Sequence, residues 1–290
     1  MQLDDRWYEL YTLLYGNTFN RILTLGNKKN GYINHNIRSL DQLQQEIDKH
    51  YPHKEFYISL YDYKTDTNLL KWDKIEKDKF EKYSIKDRIV LRFRDDTTII
   101  QQETAELNEI QTYMFIRRSI NLGQDKKMLK EVKTVYEAIE NLFQIKALPV
   151  YNGYNEYCLY IFLDEEMQLE NPSITLYYFY KFIEDYCDTK LLKYEKIEPF
   201  SQIITIPGTQ NNSSRLYSKV FNIEDSYPDI IENASRKELL NDYKVYKYQR
   251  SPSLTTLLET MDKEITKRLS DHTDVKSFNL NELFHENRIS

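Results

Sequence analysis

The sequence of 290 residues contains little cysteine, glycine or proline, with two, six and seven of them respectively. Cys158 and Cys187 cannot build a disulfide framework, and no Cys-x-x-Cys pair is present for structural zinc. So few glycines and prolines exclude a collagen-like chain, and 14% aromatic residues exclude a disordered one. The composition therefore predicts a globular protein of a reducing, cytoplasmic environment.

The sequence also lacks long apolar runs and an excess of positive charge. No stretch approaches the ~18 apolar residues of a membrane helix, and the first residues, MQLDDRWYELY, carry acids where a secretory leader is basic. The net charge of −6 argues against a broad nucleic-acid-coating surface, because nonspecific affinity for nucleic acid comes from Lys and Arg at the phosphates. We expect a protein that is neither exported nor membrane-spanning and whose nucleic-acid contacts are confined to a local patch.

Hydrophobic periodicity predicts strands that alternate with long helices. Within residues 87–96, Ile89, Leu91 and Phe93 repeat at period two, which places Arg92 and Arg94 together on the opposite face of a strand. The other predicted strands are 55–63, 148–151, 158–163 and 202–208, and the predicted helices are 103–120, 126–143, 172–187 and 253–269. This order predicts an α/β fold with an antiparallel or mixed sheet and helices on one side.

The common signatures GxxxxGK[ST], GxGxxG, HExxH and GxSxG are absent. However, three stretches in order resemble the motifs of the catalytic module of the archaeo-eukaryotic primase superfamily. DRIVLRFRDD (87–96) is similar to the first motif, a strand whose two alternate acids hold divalent metals. VYNGYNEYCLYIFL (150–163) is similar to the second, and SQIITIPGTQNNSSRLY (201–217) to the third, which ends in a Pro-Gly loop and a basic-polar tract.

This resemblance covers roughly residues 30–220 and implies a particular architecture. We expect a primase-like domain over residues 1–217, with a mixed sheet, an RRM-like half and flanking helices. Residues 218–290 are expected to form a small helical C-terminal extension and tail.

At the functional positions the chain departs from the superfamily. The two metal-binding acids correspond to Arg92 and Arg94, whose guanidinium groups cannot coordinate a cation. Asn152 stands for the usual Ser, and Cys158 stands for the His that contacts nucleotide phosphates; all five histidines lie outside residues 54–271. Because two-metal phosphoryl transfer depends on its metal ligands, the sequence predicts a domain with no catalytic residues, no metal and no cofactor.

The functional prediction follows from this resemblance and its departures. The chain resembles the non-catalytic subunits of some archaeal primases, because it combines a primase-like domain with the loss of the catalytic residues. This resemblance implies an accessory subunit of a DNA primase or replication complex. Its expected partners are catalytic and large primase subunits or other replication proteins, with weak local contact to nucleotide or template. Two alternatives stay open: an active primase-polymerase that uses magnesium or manganese at a shifted site near Asp95, Asp96 or Glu198, and a plasmid or mobile-element replication protein that uses the domain as a binding scaffold.

The candidate binding residues each have a functional and a structural interpretation. Arg92 and Arg94 bind phosphate through their guanidinium forks, or they pair with acids such as Glu198 or Asp96. Asn152 and Tyr154 belong to a turn that faces a ligand or only closes a hairpin.

Three further predictions concern other positions. Cys158 is expected to be a buried small side chain and not a nucleophile. Arg215 is the single cation of the tract 211–215, which resembles the superfamily's phosphate-contacting loop, and Arg38 corresponds to a basic residue near the template. The helical tyrosines are expected in the core and at a subunit interface: Tyr177, Tyr178 and Tyr180.

Overall fold

The computed structural model describes residues 5–16, 18–27, 30–51, 53–65, 77–94, 107–123, 126–163, 165–189, 202–238 and 252–271. The helices are α1 Asp5–Tyr15, α2 Leu40–His50, α3 Lys77–Tyr83, α4 Glu109–Asn121, α5 Lys126–Phe143, α6 Pro172–Cys187, α7 Tyr227–Ala234 and α8 Pro252–Ser270. The strands are β1 Thr18–Asn27, β2 Gly31–Ser39, β3 Glu55–Ser59, β4 Asp62–Tyr63, β5 Ser84–Ile85, β6 Arg88–Arg94, β7 Leu148–Tyr151, β8 Glu156–Phe162, β9 Ile203–Thr205 and β10 Lys219–Val220.

The described strands form two four-stranded sheets and one short ribbon. The first sheet has the order β2-β1-β3-β9, the second has the order β10-β7-β8-β6, and β4 pairs with β5. Every ladder between these strands is antiparallel. The predicted α/β class is therefore confirmed, with antiparallel pairing in two sheets.

The second sheet is covered on both faces. In the ladder of β6 with β8, Leu91 lies opposite Leu159 and Arg92 opposite Cys158, so Leu91 and Arg92 lie on opposite faces of the sheet, as the sequence predicts. Helix α5 packs against β6 and β8. On the arginine face of β6, the guanidinium of Arg88 donates to the carbonyl of Leu14 at the end of α1. All seven residues of β8 are buried, as expected for a strand between two layers.

Two predicted strands are shorter than expected, for local reasons. The segment 55–63 is interrupted after Ser59, because buried Arg21 takes the carbonyls of Ser59 and Leu60 in hydrogen bonds of 2.7 Å each. In the segment 202–208 only Ile203–Thr205 forms a strand, although Gln202 and Ile206 on either side still make backbone hydrogen bonds with Leu60 and Phe56. The pairing ends at Pro207, which has no N–H to donate.

The predicted helices are present, and their ends carry recognisable signals. Ser39 caps α2, and α5 covers the predicted span 126–143. Helix α7 was not predicted, although Ser226 and Asp229 form a capping box that is readable in the sequence. No helix within the described ranges has the length and apolarity needed to cross a bilayer.

The C-terminal helix α8 shares one hydrophobic cluster with the rest of the described residues, through side chains such as Leu254, Leu258 and Ile265. Its buried Asp262 accepts hydrogen bonds from the backbone N–H of Glu170 and Asn171 at the start of α6. The division into units at residue 217 stays a prediction.

Candidate functional site

Arg92 lies at the centre of a polar cluster between the second sheet and the edge of the first. Its Nε and Nη2 donate to the two carboxylate oxygens of Glu156 at 3.0 and 2.9 Å, and its Nη1 donates to Oε1 of Gln202 at 3.1 Å. The side chains of Arg92 and Glu156 are 11% and 7% exposed. We call Arg92, Arg94, Glu156, Cys158 and Gln202 the Arg92 pocket.

The antiparallel register of β6 and β8 creates this cluster. Arg92 lies opposite Cys158, and Arg94 lies opposite Glu156, so all four side chains project from the same face of the sheet. Glu156 reaches diagonally to Arg92, while Nε of Arg94 lies 4.0 Å from the same carboxylate. Gln202 comes from the segment just before β9, and its backbone carbonyl accepts from the N–H of Leu60.

The arginines determine the charge state of the pocket. Burial alone would raise the pKa of Glu156, but the guanidinium of Arg92, with a smaller effect of Arg94, outweighs burial and holds that pKa below its usual value. The carboxylate is therefore ionised and its charge is compensated. Burial and the nearby Glu156 raise the pKa of the Cys158 thiol well above its usual value.

Cys158 is 5% exposed and its thiol donates to Oε1 of Glu156 at 3.3 Å. A buried thiol with a raised pKa carries little thiolate, so the prediction of a buried small side chain is confirmed.

Arg92 pairs with an acid, Glu156, that the sequence analysis did not name, and its binding of phosphate stays a prediction. The suggested acids Asp96 and Glu198 lie outside the described residues, as does Asp95. The predicted strand 158–163 does not include Glu156, whereas the structure has it as the first residue of β8. Extending the predicted strand by two residues would have put Glu156 on the face of Cys158, since side chains alternate along a strand.

The donor set of the Arg92 pocket does not fit a divalent cation. Two guanidinium groups point where the resemblance places metal ligands, and the one carboxylate already accepts two hydrogen bonds from Arg92. In the parts of the chain that the structure describes, no group of three or more His, Cys, Asp or Glu side chains could hold a metal ion.

The turn between β7 and β8 is ordered by Asn152. Its side-chain Oδ1 accepts hydrogen bonds from the backbone N–H of Tyr154, Asn155 and Glu156 at 2.8 to 3.1 Å. The amide oxygen of Asn152 is thus committed to closing the hairpin. Tyr154 is half-buried against the hydrophobic core, and its carbonyl accepts from the hydroxyl of Tyr151.

The same turn is joined to the loop that resembles the third motif. Gly153 has a φ of +82° and lies so close to this loop that an added Cβ would be 2.8 Å from the carbonyl oxygen of Leu216. The hydroxyl of Ser214 donates to the carbonyl of Gly153. The structure therefore brings the second and third motif-like stretches into direct contact.

The backbone amides of this loop are already used inside the protein. Asn211 accepts from the N–H groups of Ser213, Ser214 and Arg215, and the N–H of Asn212 donates to the buried carboxylate of Glu55 at 3.3 Å. These four amides are therefore not directed at an external phosphate.

Arg215 and Arg38 come from other elements than the residues of the Arg92 pocket. Arg215 is exposed with a φ of +55°, and its guanidinium carbon lies 4.7 Å from the ring centre of Tyr113 in α4. Arg38 is exposed on β2, which is the edge of the first sheet opposite to β9. A contact of either residue with nucleic acid stays a prediction.

The core position predicted for the helical tyrosines is confirmed for Tyr180. Tyr180 is 8% exposed and donates its hydroxyl to the carbonyl of Val90. Tyr177 and Tyr178 are half-buried and in edge-to-face contact with each other. Their place in a subunit interface stays a prediction.

Comparisons with known proteins returned similarity in three dimensions only. No protein-family model matches the chain, and no curated protein matches it in sequence. Among solved structures, the AEP domain of the cyanophage S-2L primase-polymerase has a TM-score of 0.43 at 8% identity, covering 79% of this chain and 97% of that chain. The polymerase domain of Mycobacterium tuberculosis Ligase D in complex with DNA has a TM-score of 0.44 at 11% identity, covering 81% and 88%.

The primase RepB' has a TM-score of 0.42 at 7% identity, covering 92% of this chain and 66% of that chain. These identities and TM-scores are low, so we draw neither residue correspondences nor an activity from them.

Proposed function

We propose that this chain is a non-catalytic, primase-like accessory subunit of a DNA primase or replication complex. Support comes from three motif-like stretches in order, two of which the structure brings into contact at Gly153 and Ser214. The observation that carries the proposal is that Arg92, at a position where the resemblance expects a metal-binding acid, forms an ion pair with Glu156.

The charge of the pocket explains why catalysis would be lost. Metal-assisted phosphoryl transfer needs cations that bridge the phosphates and compensate developing negative charge. Arg92 and Arg94 supply positive charge, but they cannot bind a metal ion and so cannot activate a hydroxyl group through one. We therefore expect the Arg92 pocket to bind a phosphate group without catalysing phosphoryl transfer.

The pocket also dictates how an anion would bind. Arg92 is already compensated by Glu156, so a phosphate group has to compete with this carboxylate for the guanidinium. The side chain of Arg94 is 42% exposed, and its Nε lies 4.0 Å from the carboxylate of Glu156, whereas the side chain of Arg92 is 11% exposed. We therefore propose that a phosphate group first contacts Arg94. Arg92 binds the phosphate only when its ion pair with Glu156 is broken.

Loss of activity is tested by primer extension with a DNA template, labelled nucleotides, and magnesium or manganese. We expect no extension product at any manganese concentration. Extension that disappears on Asp96→Asn or Glu198→Gln would overturn the proposal and favour an active primase-polymerase with a shifted metal site.

Binding is tested with a fluorescent nucleoside triphosphate and anisotropy, without any added metal. Glu156→Gln should raise the affinity several-fold, because a neutral amide competes less for Arg92. Arg94→Gln should lower it, and Lys130→Gln, on an exposed position of α5, should leave it unchanged. Equal affinities for all four proteins would remove the nucleotide from the proposal.

The subunit role is tested by affinity purification of the tagged chain from its native source. Recovery of stoichiometric primase subunits or other replication proteins would support it. A chain recovered alone, but bound to origin-like DNA, would favour the plasmid or mobile-element scaffold instead.

A further inference from the structure

Helix α4 exposes large apolar side chains on the side that faces away from the protein core. Its core side is formed by Ile116 and Ile120, which are both buried. The three most exposed large apolar side chains among the described residues all lie on this helix or at its C-cap: Ile110 at 68%, Met114 at 63% and Leu122 at 77%. A surface helix needs one apolar stripe to pack on its core, so a second, exposed stripe requires a separate explanation.

The exposed side chains belong to one row along the helix. Four exposed positions follow one another at intervals of four residues, which is the spacing of a ridge that packs into the groove of a facing helix. At the usual rise per residue the row is about 18 Å long. We call this row the α4 ridge, and its members are Ile110, Met114, Arg118 and Leu122.

The charge around the α4 ridge is positive. Residues 110–130 contain five cations and one acid, whereas the whole chain has a net charge of −6. Arg118 is exposed within the ridge and Arg117 is half-buried next to it. In the part of the chain that the structure describes, no ion pair joins either arginine to an acid. A molecule that covers the ridge therefore has to supply negative charge as well as apolar side chains.

Two other kinds of occupant fit the α4 ridge less well. A second copy related by a twofold axis would use the same surface twice, which brings the cations of both copies into one interface without acids to pair with them. Single-stranded nucleic acid would pair with the cations, but its bases stack on aromatic rings and the four residues of the ridge carry none. An acidic protein segment accounts for both the apolar and the basic part of the ridge.

We propose that the α4 ridge is the docking surface for an acidic amphipathic helix of a partner protein. Apolar side chains of the partner pack against Ile110, Met114 and Leu122, and its carboxylates pair with Arg118. Met114 suits such a contact, because its flexible thioether side chain adapts to different apolar shapes. The inference rests on the proposed function only in that an accessory subunit needs a partner, and it uses no residue of the Arg92 pocket.

The test is anisotropy of a labelled synthetic helical peptide with leucine at positions i, i+3, i+4 and i+7 and glutamate at the other positions. The wild-type chain should bind this peptide at low salt. The double variant Ile110→Gln with Met114→Gln should weaken binding about 10-fold or more, because the apolar anchors are lost. Arg118→Gln should weaken it about 2- to 5-fold and reduce its salt dependence, because a surface ion pair is lost.

Two variants of α8 serve as matched controls. Leu269→Gln removes an apolar side chain that is 40% exposed, and Lys263→Gln removes an exposed cation. Neither variant should change the affinity for the peptide. A peptide with the same residues in an order that spreads the leucines over all faces should bind more weakly than the amphipathic one, because it offers no apolar face to the ridge.

The primer-extension assay separates this inference from the proposed function. Extension by the chain would remove the accessory role, but the peptide would still bind through Ile110, Met114 and Arg118. Conversely, a chain that neither extends primers nor binds the peptide would keep the accessory role and lose the α4 ridge as its docking surface.

The same measurements identify any other occupant. Residues 95–106, which precede α4, contain four acids and no cation, and a several-fold gain in peptide affinity on neutralising these acids would assign the ridge to the chain's own segment. A dimer in light scattering that dissociates on Met114→Gln would assign it to a second copy, and oligothymidine binding that depends on Met114 would assign it to nucleic acid. Each of these results overturns the inference, as does a wild type that fails to bind the peptide at low salt, or equal effects of the double variant and Leu269→Gln.

Discussion

The ion pair of Arg92 with Glu156 allows a quantitative test by a double-mutant cycle. Both side chains are almost fully buried, and two hydrogen bonds of 3.0 and 2.9 Å join them. Removing one partner of such a pair costs about 3–5 kcal/mol of the free energy of unfolding, because the other charge stays buried without compensation. We therefore expect Glu156→Gln to lose about 3 kcal/mol or more.

The two single variants should not be equivalent. Without Glu156, the guanidinium groups of Arg92 and Arg94 lose the carboxylate that both contact, and the neutral amide of Gln202 does not compensate the charge of Arg92. Without Arg92, as in Arg92→Met, the carboxylate of Glu156 still has Arg94 within 4.0 Å. Arg92→Met should therefore cost less than Glu156→Gln.

The assay is urea unfolding at pH 7, followed by far-ultraviolet circular dichroism, for the wild type, both single variants and the double variant. The double variant should be more stable than the sum of the single losses predicts, with a coupling energy of about 1.5 kcal/mol or more. Losses that add within about 0.5 kcal/mol would refute a direct interaction of the two side chains.

The pH dependence of the same pair has a definite sign. Because the folded pKa of Glu156 is lower than its ordinary value of 4.5, the unfolded chain binds a proton at higher pH than the folded one. The stabilisation by this carboxylate is thus complete above pH 4.5 and is lost as the pH falls through the folded pKa. The stability difference between wild type and Glu156→Gln should shrink in acid and stay constant near neutrality.

Three further changes test other parts of the fold. The buried carboxylate of Asp262 accepts hydrogen bonds from two backbone N–H groups and one hydroxyl near the start of α6. Asp262→Asn should therefore lower the free energy of unfolding in urea by about 2–4 kcal/mol. Glu259→Gln, which changes a side chain with a single 3.5 Å contact, should lower it by almost nothing. Lys219→Met removes an ammonium whose folded pKa is about 8 against an ordinary 10.5, so the wild type should gain stability relative to the variant as the pH rises from 8 to 10.5, and a parallel pH profile would contradict this. Gly153→Ala and Gly31→Ala both strain a positive φ by about 1–3 kcal/mol, but only the first also meets a backbone oxygen at 2.8 Å, so equal losses in thermal unfolding would argue against the close approach.

Much of the fold can be predicted from local patterns in the sequence. The period-two run of Ile89, Leu91 and Phe93 predicts β6 and the common face of its arginines, and the structure confirms both. The span of α5 was readable because its apolar stripe repeats at three and four residues over five turns. Strand ends were read less well, since the interruption after Ser59 depends on a guanidinium from β1 that is 38 residues away.

What the sequence determined by itself is the α/β class, the long helices and the common face of Arg92 and Arg94, because these depend on residue type and on spacing along one element. What only the tertiary structure decided is the partner of those arginines. Glu156 is 64 residues from Arg92, and their meeting depends on the register of two strands joined through a long connection. The register of the assembled sheet therefore decides whether the charge of the two arginines is available to a ligand or is compensated by a buried carboxylate.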